Sequence, residues 1–328
     1  MTITIKYYLE AALAKGWGYE WIDEWRNIIA FYPPDEEPIF IRNNVTELST
    51  SIGSLLSNYK SASTVIAKKV GFLVPETLVI EEHESFEKAL PLLSQKNRLV
   101  VKPMDAAFGD GVSTNVTDAA KLESAVENAR KNNIKSPAVI VQEFCAGRDY
   151  RLFILDGKVE AALERVPLVI QGDGEHTLDE LLTVKFESAQ QREDSQIQEL
   201  KLDKTEIMDY LSDYQSDYIP QANEVIRAHG VANLSRGGEA IDVTDDVNPE
   251  IADLAAKLAK LMGMTMCAID VLSTDIALTA EAGQTVFIES NTAPGFRGHY
   301  YPTVGQRREL APLILDTIIR ERKAKNNL

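Results

Sequence analysis

The spacing of hydrophobic and polar residues divides the chain into alternating helical and strand-like segments. Apolar residues recur with helical spacing over about 5–15, and the short apolar runs after this segment have the composition of strands. Turn signals at Gly16 and at Pro33 separate these runs. The pattern predicts a small α/β unit over residues 1–57.

The middle of the chain continues with helices and strands in a two-layered order. The segment SASTVIAKKV has helical spacing and ends at Gly71, the position expected of a helix C-cap. Strand RLVVKP then leads into a glycine-bearing loop, and helix 118–132 precedes the strands AVIVQEF, RLFILDG and KVEAALERVP. We predict an antiparallel α+β lobe over 58–144.

The last part of the chain repeats this α+β pattern. Asn248 and Pro249 form a strong helix start, because asparagine caps a helix and proline suits its first position. Two strands, MTMCAIDVLS and QTVFIES, and an amphipathic helix over about 306–323 complete the chain. The pattern predicts a second α+β lobe over 145–328.

Composition narrows the classes of function. With 328 residues and 45% hydrophobic content, the chain can bury its own core, and Cys145 and Cys267 lack the spacing of a metal site. No apolar run approaches the roughly 18 residues of a membrane span, and the N-terminal segment is amphipathic rather than a signal peptide. A net charge of −16 disfavours nucleic acid and anionic lipid as partners. These features predict a cytoplasmic enzyme and leave a homo-oligomer open.

Acidic residues are concentrated in one stretch, 175–224. Their helical spacing favours a solvated helical insertion in the second lobe. The alternatives are that these acidic residues attract a basic amine substrate or that they form a surface for assembly.

The loop after RLVVKP has the residues of an anion-binding site. Gly109 and Gly111 permit the positive φ angles that let successive N–H groups converge on an anion, and Lys102 adds a positive charge. The spacing matches neither the P-loop nor the dinucleotide fingerprint, so an ordinary turn is the alternative. The next segment of the chain favours phosphate binding, because the connection at Gly147 can offer its backbone to an adenine and Asp149 can bind a ribose.

Three side chains with oxygen donors lie on two strands late in the chain. Glu289 and Asn291 are two residues apart on one strand and share a face, where Asp270 of the preceding strand can join them. Such a set suits Mg²⁺, which takes its remaining ligands from water and phosphates. Burial beside Ile269 and Ile288 would make unpaired carboxylates costly, and a bound cation removes that cost.

Basic residues and glycines lie on either side of these strands. Arg297 can clamp a substrate carboxylate or form a structural ion pair, and both interpretations stay open. The segment ANLSRGGEA presents Asn233, Arg236 and backbone amides that suit a γ-phosphate or an acyl phosphate.

Five segments in this order resemble the ATP-grasp superfamily, and more closely the ATP-grasp region of bifunctional glutathione synthetases and of cyanophycin synthetase. The similar stretches span about 50–305 and are VVKPMDAAFGDGVS, VIVQEFCAGRDYRLFILDGKV, ERVPLVIQGDGEHTLDELL, ANLSRGGEAIDVTDD and FIESNTAPGFR. The resemblance implies an α+β ATP-grasp fold, with two α+β lobes gripping ATP after the small N-terminal domain. It also implies a ligase that activates a carboxylate as an acyl phosphate and couples it to an amine.

The resemblance assigns cofactors and residues as well. The cofactors are ATP and Mg²⁺, as two ions, with Mn²⁺ as an alternative metal, and the substrates are amino acids or peptides. The residues implied for ATP are Lys60, Lys102, Gly109, Gly111, Gln142, Glu143, Phe144 and Asp149; for the metal, Asp270, Glu289 and Asn291; and for the reacting groups, Arg165, Asn233, Arg236 and Arg297.

Two departures limit what carries over from these families. Nothing matches their γ-glutamylcysteine ligase or Mur-ligase-like portions, so we expect a stand-alone ATP-grasp unit. Residues 186–218 lack the Arg/Gly/His-rich sequence expected there, so the substrates do not carry over. The functions that stay open are a glutathione-synthetase-like ligase, a ligase that extends an amino-acid polymer or peptide-like product, and a catalytically silent nucleotide-binding module.

Overall fold

The computed structural model describes residues 1–105, 111–190, 204–211, 214–215, 217–228, 232 and 237–326. In this part of the chain the strands form sheets of three, four, five and two strands, and every strand pair within them is antiparallel. The sheets alternate with helices, which makes the fold α+β.

The N-terminal region is a helix followed by a three-stranded meander. Its elements are α1 (Ile3–Ala14), β1 (Gly18–Asp23), β2 (Ile28–Tyr32) and β3 (Ile39–Arg42). Buried residues of α1 and of this sheet share one hydrophobic core with the C-terminal helix α10 (Leu310–Asn326) and with Phe153 of the second lobe. The predicted N-terminal strands are therefore present, and they pack directly on the second lobe.

A break between two helices precedes the first lobe. Helix α2 (Ser51–Asn58) and helix α3 (Lys60–Val70) are separated by Tyr59, which has extended backbone angles of φ −87° and ψ 91°. Gly71 ends α3 in the left-handed conformation at φ 111°, which confirms the predicted C-cap. The break puts Lys60 at the first position of α3.

The first lobe is built on a four-stranded sheet in the order β4-β7-β5-β6. Its strands are β4 (Thr77–Ile80), β5 (Leu99–Pro103), β6 (Ser113–Val116) and β7 (Val139–Glu143), and its helices are α4 (Leu90–Lys96) and α5 (Ala119–Asn132). The hydrophobic spacing over 84–94 predicts a single helix, but this segment forms a 3₁₀ turn at Phe86–Ala89 followed by α4. Pro91 lies in the first turn of α4, where its missing N–H costs nothing.

The second lobe is built on a five-stranded sheet in the order β12-β9-β8-β13-β14. Its strands are β8 (Arg148–Leu155), β9 (Lys158–Val166), β12 (Glu239–Asp242), β13 (Met266–Ser273) and β14 (Val286–Asn291). One face of the sheet packs through Leu152 and Ile269 against helix α8 (Pro249–Leu261). The Asn248 side chain accepts from the backbone N–H of Glu250, which confirms the predicted cap of α8.

The acidic stretch forms a small unit beside the second lobe. Its neck is the ribbon of β10 (Val169–Gln171) and β11 (Val225–Arg227), and it contains helices α6 (Leu178–Gln190) and α7 (Lys204–Tyr210). Leu178, Leu182 and Ile207 are buried together with residues of the neck. The insertion therefore has a hydrophobic core of its own as well as an acidic surface.

The last helix begins later than its pattern suggests. The pattern predicts a start at about 306, and α10 begins at Leu310. Gln306 and Arg308 bind the carboxylate of Asp242 instead, with the Arg308 Nη2 atom 2.9 Å from Oδ2. This tertiary contact holds the residues before α10 in an irregular conformation.

The two cysteine side chains do not form a disulfide bond. Cys145 and Cys267 are free, and burial raises the pKa of their thiols to about 11 and about 12. Both sulfurs are therefore protonated near neutral pH.

Within the described ranges, no helix combines the length and the apolar character needed to cross a membrane.

Candidate functional site

Charged residues converge on the face of the five-stranded sheet that turns away from α8. The register pairs Asp270 with both Glu289 and Arg151, and it pairs Asp149 with Arg165. Residues directly opposite each other in an antiparallel sheet project to the same face. The set that shares this face, which we call the charged cluster, is Asp149, Arg151, Arg165, Asp270, Glu289 and Asn291.

Asp270 lies at the centre of the charged cluster. Its side chain is only 2% exposed, and the Arg151 guanidinium binds it through two hydrogen bonds of 2.8 and 2.7 Å. Arg165 Nη2 donates to Asp270 Oδ2 at 3.1 Å, and the Asn291 amide lies 3.4 Å from the same oxygen. Burial alone would raise the pKa of Asp270, but Arg151 and Arg165 outweigh it and hold the pKa at about 2. The carboxylate is therefore ionised.

Arg165 joins the two aspartates of the cluster. It donates to Asp149 Oδ1 at 2.9 Å through Nε and at 2.6 Å through Nη2, in addition to its bond to Asp270. Burial disfavours the charge, and the two carboxylates more than compensate, so the pKa of Arg165 is above its ordinary value. Asp149, predicted to bind a ribose, holds Arg165 in this structure.

Arg151 is a member of the site that the sequence reasoning missed. It lies two residues after Asp149 on β8, so strand alternation puts the two side chains on one face. This two-residue alternation is the sequence signal that would have identified Arg151. The bidentate contact with Asp270 makes Arg151 a direct neighbour of the proposed metal ligands.

Two lysines of the first lobe face the charged cluster. Lys60 Nζ lies 3.6 Å from Glu289 Oε2. Lys102, on β5, is 8% exposed, and burial followed by the Lys60 charge lowers its pKa to about 8, against the opposing effect of Glu289. The predicted phosphate lysines therefore face a predicted metal ligand of the second lobe.

The glycine-bearing loop is described only at its edges. Gly109 lies outside the described residues, whereas Gly111 has the predicted positive φ, 72°. A Cβ at Gly111 would lie 2.6 Å from the Cβ of Asn132, so no side chain fits there. At the other edge, the Asp105 carboxylate accepts from the backbone N–H groups of 134–136 at 2.8 to 3.0 Å. Both edges of the loop are therefore fixed by the first lobe.

The side chains proposed for the adenine hinge make contacts inside the first lobe. Gln142 Nε2 donates to a threonine hydroxyl on β4 at 2.8 Å, and Glu143 Oε2 lies 2.6 Å from Lys96 Nζ. The Arg98 guanidinium lies 3.6 Å above the ring of Phe144. These contacts fix the strand end, and the adenine role of its backbone stays a prediction.

The remaining predicted residues lie after β14 and in the segment before β12. Arg297 is 8% exposed and begins the short helix α9 (Arg297–Tyr300). The ring of Tyr300 stacks on Tyr7 of α1 with centroids 3.7 Å apart, which fixes α9 against the N-terminal region. Asn233 and Arg236 lie outside the described residues.

The metal prediction can be tested against the chemistry of the donors. Among the residues that the structure describes, no group of three or more His, Cys, Asp or Glu residues could hold a metal ion. The predicted set differs from such a group, since it combines two carboxylates, Asp270 and Glu289, with the amide of Asn291. Ionised Asp270 and the 31% exposed Glu289 are oxygen donors of the kind that Mg²⁺ takes together with water and phosphate. The donor types therefore suit a divalent cation, which would replace the Arg151 and Arg165 guanidinium groups that bind both Asp270 oxygens in this structure.

Comparison with known proteins gives matches along most of the chain. The family model described as the ATP-grasp domain of prokaryotic glutathione synthetase matches residues 64–178. The crystal structure of a bifunctional glutathione synthetase from Pasteurella multocida superposes with a TM-score of 0.69 and 25% sequence identity, covering 98% of this chain and 44% of that protein. Residues 64–178 belong to an ATP-grasp family, and the chain as a whole has the ATP-grasp fold. The predicted α+β ATP-grasp fold is thereby confirmed.

Curated relatives of this ATP-grasp chain are longer proteins. A cyanophycin synthetase from Crocosphaera subtropica is 33% identical over 281 residues, which is 81% of this chain and 32% of the relative. A glutathione biosynthesis bifunctional protein from Mannheimia succiniciproducens is 29% identical over 329 residues, 98% of this chain and 43% of that protein. The ATP-grasp chain thus spans less than half the length of these relatives.

Proposed function

We propose that this chain is an ATP-dependent ligase that activates a carboxylate as an acyl phosphate and couples it to an amine. ATP binds with a divalent cation between the four-stranded and the five-stranded sheets. The observation that carries this proposal is the convergence of Lys60 and Lys102 on Glu289, with Asp270 beside it. Cationic groups from one lobe thus face oxygen donors from the other, the arrangement that phosphoryl transfer requires.

The first lobe binds the nucleotide. Lys60 and Lys102 neutralise the phosphates, and the loop that contains Gly109 and Gly111 closes over them. The adenine lies against the backbone at the end of β7, where Gln142, Glu143 and Phe144 are located. Asp149 supports this site by holding Arg165 through two hydrogen bonds.

The second lobe holds the metal. Asp270, Glu289 and Asn291 are its ligands, for two Mg²⁺ ions, with Mn²⁺ as the alternative. The metal supplies charge neutralisation at the phosphate oxygens.

The reaction proceeds by two displacements. A carboxylate oxygen attacks the γ-phosphorus of ATP, and ADP leaves. The amine nitrogen then attacks the acyl carbon, inorganic phosphate leaves, and the amine proton passes to solvent. Catalysis consists of positioning and of charge offset by Arg165, Arg236 and Arg297, together with Asn233 beside the transferred phosphate, so no nucleophilic side chain takes part.

The substrates are amino acids or peptides, as the names of the relatives suggest. A ligase that forms a small peptide is favoured by the match of 98% of the chain to bifunctional glutathione biosynthesis proteins. The 33% identity with a cyanophycin synthetase favours the alternative, extension of an amino-acid polymer. We place the protein in the cytoplasm, where its two free cysteines stay reduced, as a monomer or a homo-oligomer.

Phosphate release tests the proposal. Purified protein is mixed with Mg-ATP and with panels of amino acids and dipeptides, and the proposal expects ADP and phosphate only when both a carboxylate and an amine substrate are present. ATP binding without turnover for any pair would instead identify a silent nucleotide-binding module.

A matched pair of variants separates site chemistry from stability. Asp270→Asn removes a metal ligand, leaves Arg151 without its carboxylate and leaves Arg165 with Asp149 alone, so turnover is expected to be lost. Asp242→Asn also breaks a buried ion pair, with Arg308, but on β12 outside the metal set. Both variants are expected to lose roughly 3 kcal/mol of stability, and Asp242→Asn keeps turnover at a temperature where it is folded. Equal turnover in the two variants would contradict the assignment of Asp270.

A further inference from the structure

A histidine on the side of the five-stranded sheet that carries the charged cluster is enclosed without a side-chain hydrogen bond within the described part of the chain. His299 in α9 is 0% exposed, and neither Nδ1 nor Nε2 has a hydrogen-bond partner within the described part of the chain. A buried polar group without a partner destabilises a fold, and an apolar ring of similar shape would avoid that cost. A polar residue at such a position is a candidate for a contact made in another state of the protein.

The ring lies on the same side of the five-stranded sheet as Arg151. The imidazole packs edge-on against Phe153, with centroids 5.9 Å apart and an interplanar angle of 75°. Phe153 and Arg151 are two residues apart on β8 and therefore project from the same face. Burial, and then the charge of Arg151, lower the pKa of His299 to about 3, while Asp242 opposes this shift and Arg308 adds to it. The imidazole is therefore neutral and has one nitrogen that can accept a hydrogen bond.

The other charged neighbours of His299 already have partners. Asp242 accepts from Arg308 at 2.9 Å and from the Thr244 hydroxyl at 2.5 Å, so its carboxylate and the Arg308 guanidinium satisfy each other. Arg151 is also bound, but to Asp270, which the proposed function assigns to the metal. Of the charged neighbours of His299, Arg151 is thus the one that must give up its present partner, Asp270, when the metal binds.

We propose that His299 is a positioning residue for Arg151. When Asp270 holds the divalent cation, the Arg151 guanidinium leaves that carboxylate and donates an N–H to the unprotonated nitrogen of His299. Arg151 thereby stays beside the site as a cation available to the carboxylate substrate. This inference rests on the proposed function, because it needs Asp270 to bind metal.

The first test compares His299→Phe with His299→Gln. Phenylalanine keeps an aromatic ring and removes both unpartnered nitrogens, so the melting temperature without ligands is expected to equal or exceed that of the wild type. Binding of the β,γ-imido analogue of ATP is then titrated with MgCl₂. In His299→Phe the midpoint for Mg²⁺ is expected to rise about tenfold, the effect of one lost hydrogen bond to a charged group. His299→Gln retains an acceptor and is expected to recover part of the loss.

The second test asks whether the effect passes through Arg151. In an Arg151→Gln background the Arg151 guanidinium no longer competes for Asp270, while the contact of Arg165 is unchanged, so adding His299→Phe is expected to leave the Mg²⁺ midpoint unchanged. A shift that persists in this background would overturn the inference, and so would a His299→Phe midpoint equal to that of the wild type. A lower melting temperature in His299→Phe, with His299→Gln binding Mg²⁺ like His299→Phe, would show a packing role and would also overturn it.

The outcome is separable from that of the proposed function. If the wild type binds the nucleotide with Mg²⁺ but turns over no substrate pair, ligase chemistry fails, and the Mg²⁺ midpoints still decide the role of His299. If the wild type shows no Mg²⁺-dependent nucleotide binding, the metal site and this inference are both overturned.

Discussion

Lys102 illustrates how a single side chain links the two lobes. It is buried on β5 in the first lobe, and Lys60 lies close enough to oppose its charge, while Glu289 of the second lobe favours it. A polyphosphate would relieve both penalties, because it supplies the negative charge that burial removes. The Lys102 pKa of about 8 is therefore that of a buried lysine whose charge a bound anion would stabilise.

The first prediction concerns pH. A bound phosphate raises the Lys102 pKa from about 8, so protonation favours binding, and affinity for the ATP analogue is expected to fall as pH rises above 8. The limit is about tenfold per pH unit for one proton. Calorimetric titrations from pH 7 to pH 9.5 measure this, and Lys102→Arg, which keeps its charge throughout, is expected to give a flat profile. A wild-type profile as flat as that of Lys102→Arg would contradict the lysine's role.

The second prediction concerns the substitution of Gly111. Gly111→Ala meets two penalties, a positive φ of 72° and a Cβ 2.6 Å from that of Asn132. Gly157→Ala meets only the first, since its φ is 71° and nothing lies within 4 Å. We expect Gly157→Ala to cost about 1–2 kcal/mol and Gly111→Ala to cost roughly 1–3 kcal/mol more through the clash. Unfolding in urea measures both, and equal losses would show that the loop edge can relax.

At the scale of elements, the short helix α9 depends on α1. The rings of Tyr7 and Tyr300 stack with an interplanar angle of 14°, and Phe296 packs edge-on against Tyr8. These contacts hold the segment that contains Arg297 directly after the strand with the proposed metal ligands. The N-terminal region thus supports the site, although no residue of α1 belongs to the charged cluster.

Removing the stacked ring tests this dependence. Tyr7→Ala leaves a cavity under α9 and is expected to cost about 3–5 kcal/mol of stability, with a fall in turnover at temperatures where the variant is folded. Tyr32→Ala is the control, because Tyr32 is 40% exposed on the outer side of the three-stranded sheet. Chemical denaturation and the phosphate-release assay measure the two effects. Full turnover in folded Tyr7→Ala would show that α9 holds its position without α1.

At the scale of the whole molecule, the acidic insertion is joined by a narrow neck. Gly172 and Asn223 are hydrogen-bonded across it, with 2.9 Å between the Asn223 nitrogen and the Gly172 oxygen, and the cluster of buried residues inside the insertion is separate from the cores of both lobes. Replacing residues 173–222 by a two-residue turn is therefore expected to leave nucleotide binding unchanged. If the acidic surface attracts a cationic acceptor, the deletion raises KM for basic amines and not for neutral ones. Loss of nucleotide binding would show that the insertion is part of the nucleotide site.

Local signals made much of the fold predictable. Gly71 and Asn248 end and begin helices where their chemistry requires, and the two-residue period of β14 put Glu289 and Asn291 on one face. Each of these inferences needs only a few neighbouring residues. The α+β elements and the candidate metal ligands could therefore be predicted from local patterns, whereas the ATP-grasp fold was implied by the resemblance.

Contacts between distant segments were not predictable in this way. Arg165 binds Asp149 and Asp270, which are 16 and 105 positions away, and no local pattern encodes that choice. Arg308 similarly delays the start of α10 by binding Asp242, 66 residues before it. Such pairs depend on how the strands are ordered in the sheet, which residue spacing alone does not fix.

The most direct test of the central claim is the position of a metal in the nucleotide complex. Crystals grown with ADP and Mn²⁺ are measured at a wavelength where manganese scatters anomalously. We expect an anomalous peak within about 2.5 Å of oxygens from Asp270, Glu289 and Asn291, with the ADP phosphates between that peak and Lys102. A nucleotide bound elsewhere, or a peak distant from these three side chains, would contradict the account.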